Sequence, residues 1–295
     1  MRILITGIAG FIGSRLAEAL LSHGHSVSGI DNLSTGRVAN VPEAADFTEG
    51  DIRRFKDFPA GPWDLIYHCA ASYKDRGAWE ADASTNVLGT INVVRHGARI
   101  VYFQTSLCYG PAPVSPVRPD ASLAPVGSYA VSKTAGEAYI RDSGVPYVSL
   151  RLANIYGPRN LSGPIPTFYK RLTEGQPCTI VDSRRDYVYV DDLVWVAVNA
   201  ATKGEGVYHV ASGADRSIAE LYAAITRELG MDVPAPTLTP RGPDDAATIL
   251  LDPSGTEAAF GWRAMTPLET GIQRAVAWYR EHGVTDTFTH LAQKG

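Results

Sequence analysis

Several features that define other classes of protein are scarce or absent in this chain of 295 residues. The three cysteines, Cys69, Cys108 and Cys178, match neither a disulfide framework nor a metal site, so we expect reduced, buried thiols and no metal. No apolar run is long enough to cross a membrane, and there is no repeat or low-complexity tract. A net charge of −4 without basic clusters gives no reason to expect nucleic acid or an anionic membrane as partner. Without a signal peptide, the sequence predicts a soluble, cytoplasmic protein.

What the chain does contain is a strand, a glycine-rich turn and a helix at its N-terminus. The unbroken apolar run at residues 3–5 predicts a strand buried on both faces, and apolar residues at helical spacing follow it. Between them, Gly7, Gly10 and Gly13 allow a tight turn and the close approach of a ligand. Because free N–H groups at a helix start bind anions, the turn predicts a dinucleotide site, with an ordinary structural turn as the alternative.

Asp31 ends the second predicted strand, where a dinucleotide fold places the carboxylate that binds the adenosine ribose. A carboxylate there repels a 2′-phosphate, so the sequence favours NAD over NADP; the alternative is an aspartate that only caps a turn. After the next short strand, Asp51 is a candidate hydrogen-bond partner of the adenine. The strand that begins at Leu65 ends in small residues, which would let the backbone pass close to a cofactor.

A tyrosine and a lysine four residues apart are the main candidates for chemistry. Tyr129 and Lys133 lie on one predicted helix and therefore share a face. A lysine cation beside a phenol favours the phenolate, which lowers the pKa of the tyrosine toward the range of a general base. Thr105 follows the predicted strand at residues 100–103, where open α/β sheets bind ligands, and its hydroxyl can relay a proton. A tyrosine and a lysine at this spacing are also common on exposed helices without a catalytic role. The position of this pair, downstream of a dinucleotide turn and of a strand that ends in hydroxyl groups, favours the catalytic interpretation.

Nearly the whole chain resembles the extended short-chain dehydrogenase/reductases, in the branch of NAD-dependent nucleotide-sugar epimerases and dehydratases. The matching motifs are Gly7-x-x-Gly10-x-x-Gly13, Asp31-Asn32-Leu33, Gly50-Asp51-Ile52, His68-x-Ala70-Ala71, Asn86 with Gly89-Thr90, Thr105 before Tyr109-Gly110, Tyr129-x-x-x-Lys133, Arg151-x-x-Asn154-x-Tyr156-Gly157-Pro158-Arg159 and Arg185-Asp186-Tyr187-Val188-x-Val190-x-Asp192-Leu193. The resemblance implies an α/β fold: a Rossmann-type doubly wound parallel sheet with a smaller, discontinuous α/β substrate domain. Residues 1–154 and about 185–212 would bind NAD, and about 155–184 and 213–295 would bind the nucleotide sugar.

The resemblance also implies roles for single residues. Thr105, Tyr129 and Lys133 would form the catalytic triad. The NAD-binding residues that it implies are Gly7, Gly10, Phe11, Ile12, Gly13, Asp31, Asn32, Ser34, Asp51, Ile52, Cys69, Ala70, Ala71, Asn86, Thr105, Tyr129 and Lys133. The substrate-binding residues that it implies are Ser106, Asn154, Thr179, Arg185 and Arg241. The two arginines are candidates for the diphosphate, because guanidinium groups match phosphate oxygens, with a surface salt bridge as the alternative.

The two positions after Thr105 bear on the reaction. Dehydratases of this family follow the catalytic threonine with Asp-Glu, and the decarboxylases have a glutamate where Leu107 stands. Ser106 and Leu107 supply neither carboxylate, yet reversible oxidation at C4 needs none. The sequence therefore predicts a UDP-sugar 4-epimerase that works through a transient 4-keto intermediate, with the glucose/galactose, N-acetylhexosamine and uronic acid series open. A 4-ketosugar reductase, a dehydratase and a non-catalytic NAD-sensing protein are the alternatives.

Assembly and helix boundaries complete the expectations. The resemblance implies a homodimer in which helices around residues 86–96 and 129–140 pair across a two-fold axis. Ser217-Ile-Ala-Glu220 and Thr266-Pro-Leu-Glu269 are both typical of capping boxes at helix starts. The predicted strand at residues 207–210 is expected to return to the nucleotide-binding sheet.

Overall fold

The computed structural model describes residues 1–73, 77–111, 114–241 and 247–288. The strands are β1 (Arg2–Thr6), β2 (Ser26–Asp31), β3 (Asp46–Glu49), β4 (Leu65–His68), β5 (Arg99–Thr105), β6 (Tyr147–Leu152), β7 (Asn154–Tyr156), β8 (Thr179–Val181), β9 (Arg184–Tyr189), β10 (Gly206–Val210), β11 (Asp215–Ser217), β12 (Thr237–Thr239) and β13 (Thr248–Ile249). The helices are α1 (Phe11–Ser22), α2 (Trp79–Asp82), α3 (Gly89–Val94), α4 (Ser128–Asp142), α5 (Pro164–Thr173), α6 (Val190–Asn199), α7 (Ile218–Leu229), α8 (Ser254–Phe260) and α9 (Leu268–His282). A π-helical segment, Ala83–Leu88, joins α2 to α3, and a 3₁₀ turn, Ser106–Tyr109, follows β5.

The main sheet is parallel throughout, with the strand order β10-β6-β5-β4-β1-β2-β3. The order reverses between β1 and β4, so the loops at the carboxyl ends of these strands diverge and leave a crevice. Residues 207–210 do return to this sheet, where β10 pairs with β6. The predicted Rossmann-type, doubly wound fold is confirmed.

The apolar runs of the sequence form the buried strands of this sheet. Ile3 and Ile5 face the helix layer that includes α1 and α6, whereas Leu4 faces the layer that includes α3 and α4. None of the three exposes any surface. Because successive strand side chains point to opposite faces, such a run is fully buried only when helices cover both sides of the sheet.

A second, smaller sheet is built around β9, which pairs with β7, β11 and β13. Strands β8 and β12 pair separately, and helices α5, α7 and α9 pack together. From β9 the chain returns through α6, which packs on α1, to β10 in the main sheet. The predicted domain boundaries near residues 154, 185 and 212 stay predictions.

One predicted capping box is confirmed and the other is wrong. At the start of α7, the Ser217 hydroxyl accepts the N–H of Glu220 at 3.0 Å, and the Glu220 carboxylate accepts the N–H of Ser217 at 2.7 Å. Thr266 does not cap α9, because its N–H and hydroxyl donate to the Asp192 carboxylate at 3.0 and 3.2 Å.

Within the described ranges, no helix has the length and apolar character that crossing a membrane requires.

Candidate active site

A cavity of about 580 Å³ lies at the carboxyl ends of β1, β4 and β5, beside the point where the strand order reverses. This volume is typical of small-molecule sites. Most of the residues predicted to bind NAD line it: Gly7, Gly10, Phe11, Ile12, Gly13, Asp31, Asn32, Ser34, Ile52, Cys69, Ala70, Ala71, Thr105, Tyr129 and Lys133. The fold therefore gathers candidates that are far apart in the sequence into one place.

The glycine turn between β1 and α1 forms one wall of the cavity and has no room for side chains. A Cβ on Gly13 would lie 2.2 Å from the carbonyl oxygen of Gly7, and one on Gly7 would lie 2.7 Å from the backbone nitrogen of Ala70. Gly7 also has a φ of 73°, which other residues rarely adopt. Helix α1 starts at Phe11 with neither a side-chain cap nor an acidic residue in its first turn. The turn thus fits a pyrophosphate, which its N–H groups and positive helix end would bind.

Asp31 lines the cavity at the end of β2, and its carboxylate is also bound by the backbone. Its oxygens accept the N–H of Ala9 at 3.0 Å and the N–H of Leu33 at 2.8 Å. Burial raises the pKa of Asp31, and these two hydrogen bonds oppose that rise. The two interpretations made from the sequence are therefore compatible: the residue caps its turn and still presents a carboxylate to the cavity.

Two of the predicted NAD residues, Asp51 and Asn86, are not among the lining residues. Arg53 pairs with the Asp51 carboxylate, its Nε lying 2.9 Å from Oδ2; burial would raise the pKa of Asp51, but this pairing lowers it. Asn86 is buried and holds the chain after β4, accepting the N–H of Ser72 at 2.8 Å and donating to its carbonyl at 3.0 Å. Asn86 therefore shapes the loop that lines the site, and direct contacts of either residue with NAD stay predictions.

The predicted triad meets at the cavity, with Thr105 from β5 and the other two residues from the first turns of α4. Burial raises the pKa of Tyr129 and lowers that of Lys133 to about 7. The expected lowering of the Tyr129 pKa by the lysine is therefore wrong for this structure. Burial disfavours the charged form of each group, and the neighbouring Tyr73 and Asp82 raise the pKa of Tyr129 further.

Residues 159–163 form another part of the cavity wall, and an arginine ties this segment to α1. Arg159 donates to the Glu18 carboxylate at 2.6 Å and to the Ser14 hydroxyl at 3.1 Å. Its backbone φ is 71°, in the left-handed region that non-glycine residues seldom occupy. Since strain of this kind persists only where the surroundings impose it, the ion pair holds this wall in place.

Sequence reasoning missed several lining residues that come from distant or unmarked segments. Tyr73 packs edge-on against Tyr129, with 6.3 Å between the ring centroids. Arg37 lines the cavity and its guanidinium donates to the Thr285 hydroxyl at 3.3 Å. Trp278 and Phe288 reach the cavity from the C-terminal part of the chain. Arg37 and Tyr73 had a signal in the sequence, since they lie close to Asp31 and to Ala70-Ala71; Trp278 and Phe288 depend on long-range packing.

Of the predicted substrate residues, Asn154 alone is among those that line the cavity. Ser106 is buried in the 3₁₀ turn after β5, and Thr179 lies on β8. Arg185 donates to the carbonyl of its neighbour Arg184 at 2.7 Å. Arg241 is exposed, and the segment after it, residues 242–246, lies outside the described residues. Substrate contacts of these residues stay predictions.

Known proteins share this architecture. A sequence profile described as the NAD dependent epimerase/dehydratase family matches residues 3–211. The UDP-glucose 4-epimerase of Mycolicibacterium smegmatis is 31% identical over 318 residues, covering 95% of this chain and 99% of that protein. The crystal structure of the Bordetella bronchiseptica enzyme WbmH in complex with NAD+ has a TM-score of 0.90 and 44% identity, covering 96% of this chain and 99% of that one. The crystal structure of WbmG from the same organism, in complex with NAD and UDP, has a TM-score of 0.90 and 41% identity, covering 100% of this chain and 99% of that one.

Proposed function

The chain belongs to the NAD dependent epimerase/dehydratase family, and we propose that it is an NAD-dependent UDP-sugar 4-epimerase whose catalytic residues are Thr105, Tyr129 and Lys133. One observation carries the proposal: these three residues line the same cavity that the glycine turn borders, and the two positions after Thr105 in the chain, Ser106 and Leu107, carry no carboxylate. The UDP-glucose 4-epimerase among the relatives, and the NAD and UDP bound to WbmG, support the choice of cofactor and nucleotide.

Each of the three residues has a distinct task in this proposal. NAD bound in the cavity supplies a reversible hydride acceptor and, in its oxidised form, a positive charge. Tyr129 removes the proton of the sugar 4-hydroxyl and later returns it, while Thr105 hydrogen-bonds the same oxygen. Lys133 holds the nicotinamide ribose and balances the charge of the phenolate. Because burial keeps the Tyr129 phenol protonated, a positive charge nearby is needed for the phenolate to form.

The absence of carboxylates after Thr105 limits what happens to the oxidised sugar. Elimination of the 6-hydroxyl needs an acid and a base beside the C5–C6 bond, and Ser106 and Leu107 offer neither at neutral pH. The 4-keto sugar then has one productive fate, which is to regain hydride at C4. We therefore favour epimerisation over dehydration, and over a reductase that would consume external NAD(P)H.

Incubation with a panel of UDP-sugars, without added reductant, is expected to interconvert two sugars that differ only at C4. In deuterated water no deuterium should enter C5, because no proton leaves that carbon. Mass spectrometry and NMR of the products make both measurements. A product lighter by one water, or deuterium at C5, would instead indicate a dehydratase, and turnover that requires NAD(P)H would indicate a reductase. NAD binding without turnover of any sugar would favour a sensing protein.

NAD is expected to bind at least about a hundredfold more tightly than NADP, because the Asp31 carboxylate would face the 2′-phosphate. Asp31→Asn keeps the size of the side chain, removes its charge and gives up one of its two backbone N–H hydrogen bonds. Because the lost hydrogen bond should weaken binding of both dinucleotides alike, the loss of charge should narrow their ratio by at least about tenfold. Fluorescence titration with both dinucleotides measures it. Asp46→Asn, on the adjacent strand β3 and outside the cavity, is the matched control. Equal binding of the two dinucleotides by the unchanged protein would remove this role of Asp31.

We also propose a homodimer formed by α4 and the segment before α3. Leu88, Val131 and Tyr139 are exposed there by 46–49%, although each is large and apolar. Light scattering is expected to give twice the chain mass of 31.7 kDa at micromolar concentration. Val131→Arg should give monomers, and Leu238→Arg, at an exposed apolar residue outside these helices, should not. A monomeric unchanged protein would contradict the proposal.

A cytoplasmic location fits the proposed reaction. Cys69, Cys108 and Cys178 are free thiols, and the last two are buried. Free thiols persist in reducing compartments, so we propose that the enzyme works in the cytoplasm.

A further inference from the structure

Lys133 has an unusual environment for a charged side chain. It exposes 2% of its surface, and no ion pair or hydrogen bond to its ammonium occurs in the described part of the chain. Glu137, one helical turn further along α4, is paired with Arg151 instead. A buried charge is costly unless something nearby compensates it. The proposed function needs this lysine charged, so a contact that stabilises its ammonium within the protein bears directly on the site.

Tyr102 contacts Lys133 at both ends of the lysine. The Lys133 Nζ lies 3.9 Å from the centre of the Tyr102 ring, over its face. The Tyr102 hydroxyl donates to the backbone carbonyl of Lys133 at 2.9 Å. Tyr102 is fully buried and stands on β5 three residues before Thr105, so it is held rigidly by the main sheet. One side chain thus contacts both the ammonium and the helix turn that carries it.

We infer that Tyr102 is a positioning residue for Lys133: its ring face holds the ammonium charged at the cavity, and its hydroxyl fixes the helix turn beneath it. The ring quadrupole attracts a cation over its face, and this attraction is largest where water is excluded. The inference rests on the proposed function, since it gives Tyr102 its importance through the role of Lys133 in catalysis.

A second ring faces the same region from β4, and its hydrogen bonds keep it uncharged. The Thr90 hydroxyl donates to the carbonyl of Asn86 at 2.6 Å, so its oxygen is left to accept from Nε2–H of His68 at 2.8 Å. Nδ1 of His68 then accepts the hydroxyl of Thr6 at 2.7 Å. Burial, and next the Lys133 charge, lower the pKa of His68 well below its usual value. The imidazole is therefore neutral and does not compete with the ammonium.

Two titratable neighbours of Lys133, Cys69 and Glu137, oppose the burial that lowers its pKa, but neither has a hydrogen bond or ion pair to the ammonium among the described residues. Burial raises the pKa of the Cys69 thiol, which stays neutral, and burial also keeps the Tyr129 phenol protonated. The Glu137 carboxylate is shared between Arg151 and Ser149. Burial lowers the pKa of Lys133 to about 7, so a modest change in its surroundings alters its charge near neutral pH.

Competitive labelling with acetic anhydride tests the inference without relying on turnover. Peptide mass spectrometry then gives the titration midpoint of each lysine, with exposed Lys56 and Lys203 as internal standards. Tyr102→Leu, which removes the ring, is expected to lower the midpoint of Lys133 by about 1 to 1.5 pH units. Tyr102→Phe keeps the ring and loses only the hydroxyl, so its midpoint should move by less than about 0.5 pH unit. Equal midpoints in the two variants would overturn the inference.

Turnover provides a second readout with a defined pH dependence. In the epimerase assay, kcat of Tyr102→Leu should fall about 10- to 30-fold at pH 8 and only about two- to fourfold at pH 6, where a large share of the variant's lysine is protonated again. Tyr102→Phe should follow the pH profile of the unchanged protein, at a kcat within about threefold. A loss in the leucine variant that is the same at every pH would indicate damage to packing and would contradict the proposed role.

Two controls keep the outcomes distinct. If Tyr102→Leu does not fold, phenylalanine and 3,4,5-trifluorophenylalanine at position 102 make the same comparison, because they match in shape and differ in the electron density of the ring face. An unchanged protein that epimerises no sugar would contradict the proposed function, while the labelling result would still decide the inference. If the unchanged protein is an active epimerase but the titration midpoint of Lys133 is the same with and without the ring at position 102, only the inference about Tyr102 is contradicted.

Discussion

Replacing Tyr129 by phenylalanine is expected to lower kcat by at least about a hundredfold while the fold and NAD binding are retained. The substitution removes only the hydroxyl, which is the group that moves the proton of the 4-hydroxyl in the proposed reaction. The ring stays in place, so its edge-on contact with Tyr73, at 6.3 Å between centroids, is preserved. The KM of the UDP-sugar should change little, because the lost interaction acts in the transition state.

The same chemical change elsewhere on α4 provides the control. Tyr139→Phe removes a hydroxyl from the helix that carries Tyr129, outside the cavity; because it keeps the apolar ring at the proposed dimer interface, it should leave kcat unaltered. Steady-state kinetics, the NAD content of the purified proteins and thermal unfolding together separate a chemical defect from a folding defect. Full activity of Tyr129→Phe would exclude the tyrosine from the mechanism, and a matching loss in Tyr139→Phe would mean that the helix, not the hydroxyl, is at fault.

The largest effect on stability is expected from Arg151→Met, which should reduce the free energy of unfolding by about 3–5 kcal/mol. Arg151 on β6 pairs with Glu137 on α4 at 2.7 Å, and the two side chains are only 5% and 7% exposed. Arg151 also donates to the Tyr109 hydroxyl at 2.6 Å and to the carbonyl of Pro119 at 3.1 Å. Without the guanidinium, the Glu137 carboxylate remains buried without its counter-charge, which is more costly than the loss of the pair itself.

Urea titration of three variants tests this account. Arg118→Met breaks an ion pair with Asp120 in which both side chains are more than 70% exposed, so it should cost less than about 1 kcal/mol. The double variant Arg151→Met with Glu137→Met removes both buried charges and should recover most of the stability lost in the single variant. A single variant as stable as Arg118→Met would show that the buried pair does not anchor α4 to the sheet.

The elements that sequence reasoning predicted correctly are those that depend on local pattern. A run with no polar residue, such as residues 3–5, is suited to a strand covered on both faces, and a strand, glycine turn and helix in succession is a short-range signal. The spacing of Tyr129 and Lys133 places both on one helix face wherever that helix packs. The buried first strand, the glycine turn and the placement of Tyr129 and Lys133 on one helix therefore followed from residues close together in the chain, while the catalytic roles stay predictions.

Contacts between distant segments were beyond that kind of reasoning. Nothing near Phe288 indicates that it lines the same cavity as Gly7, because its place depends on a backbone bridge to Ser162, which is far from it in the chain. The predicted cap at Thr266 was wrong because Asp192, on another helix, binds its hydroxyl.

By itself, the sequence determined the order of strands and helices, the glycine turn and the chemical groups available for catalysis, since these depend on residue type and short spacing. Only the tertiary structure decided how those groups are charged. Burial raises the pKa of Tyr129 and lowers that of Lys133, the reverse of what two neighbouring charges on an exposed helix would do. The Tyr102 ring that faces the lysine comes from another strand. Solvent exclusion sets the charge of Tyr129 and Lys133, and contacts across the fold bring the Tyr102 ring to the lysine. A linear sequence pattern contains neither.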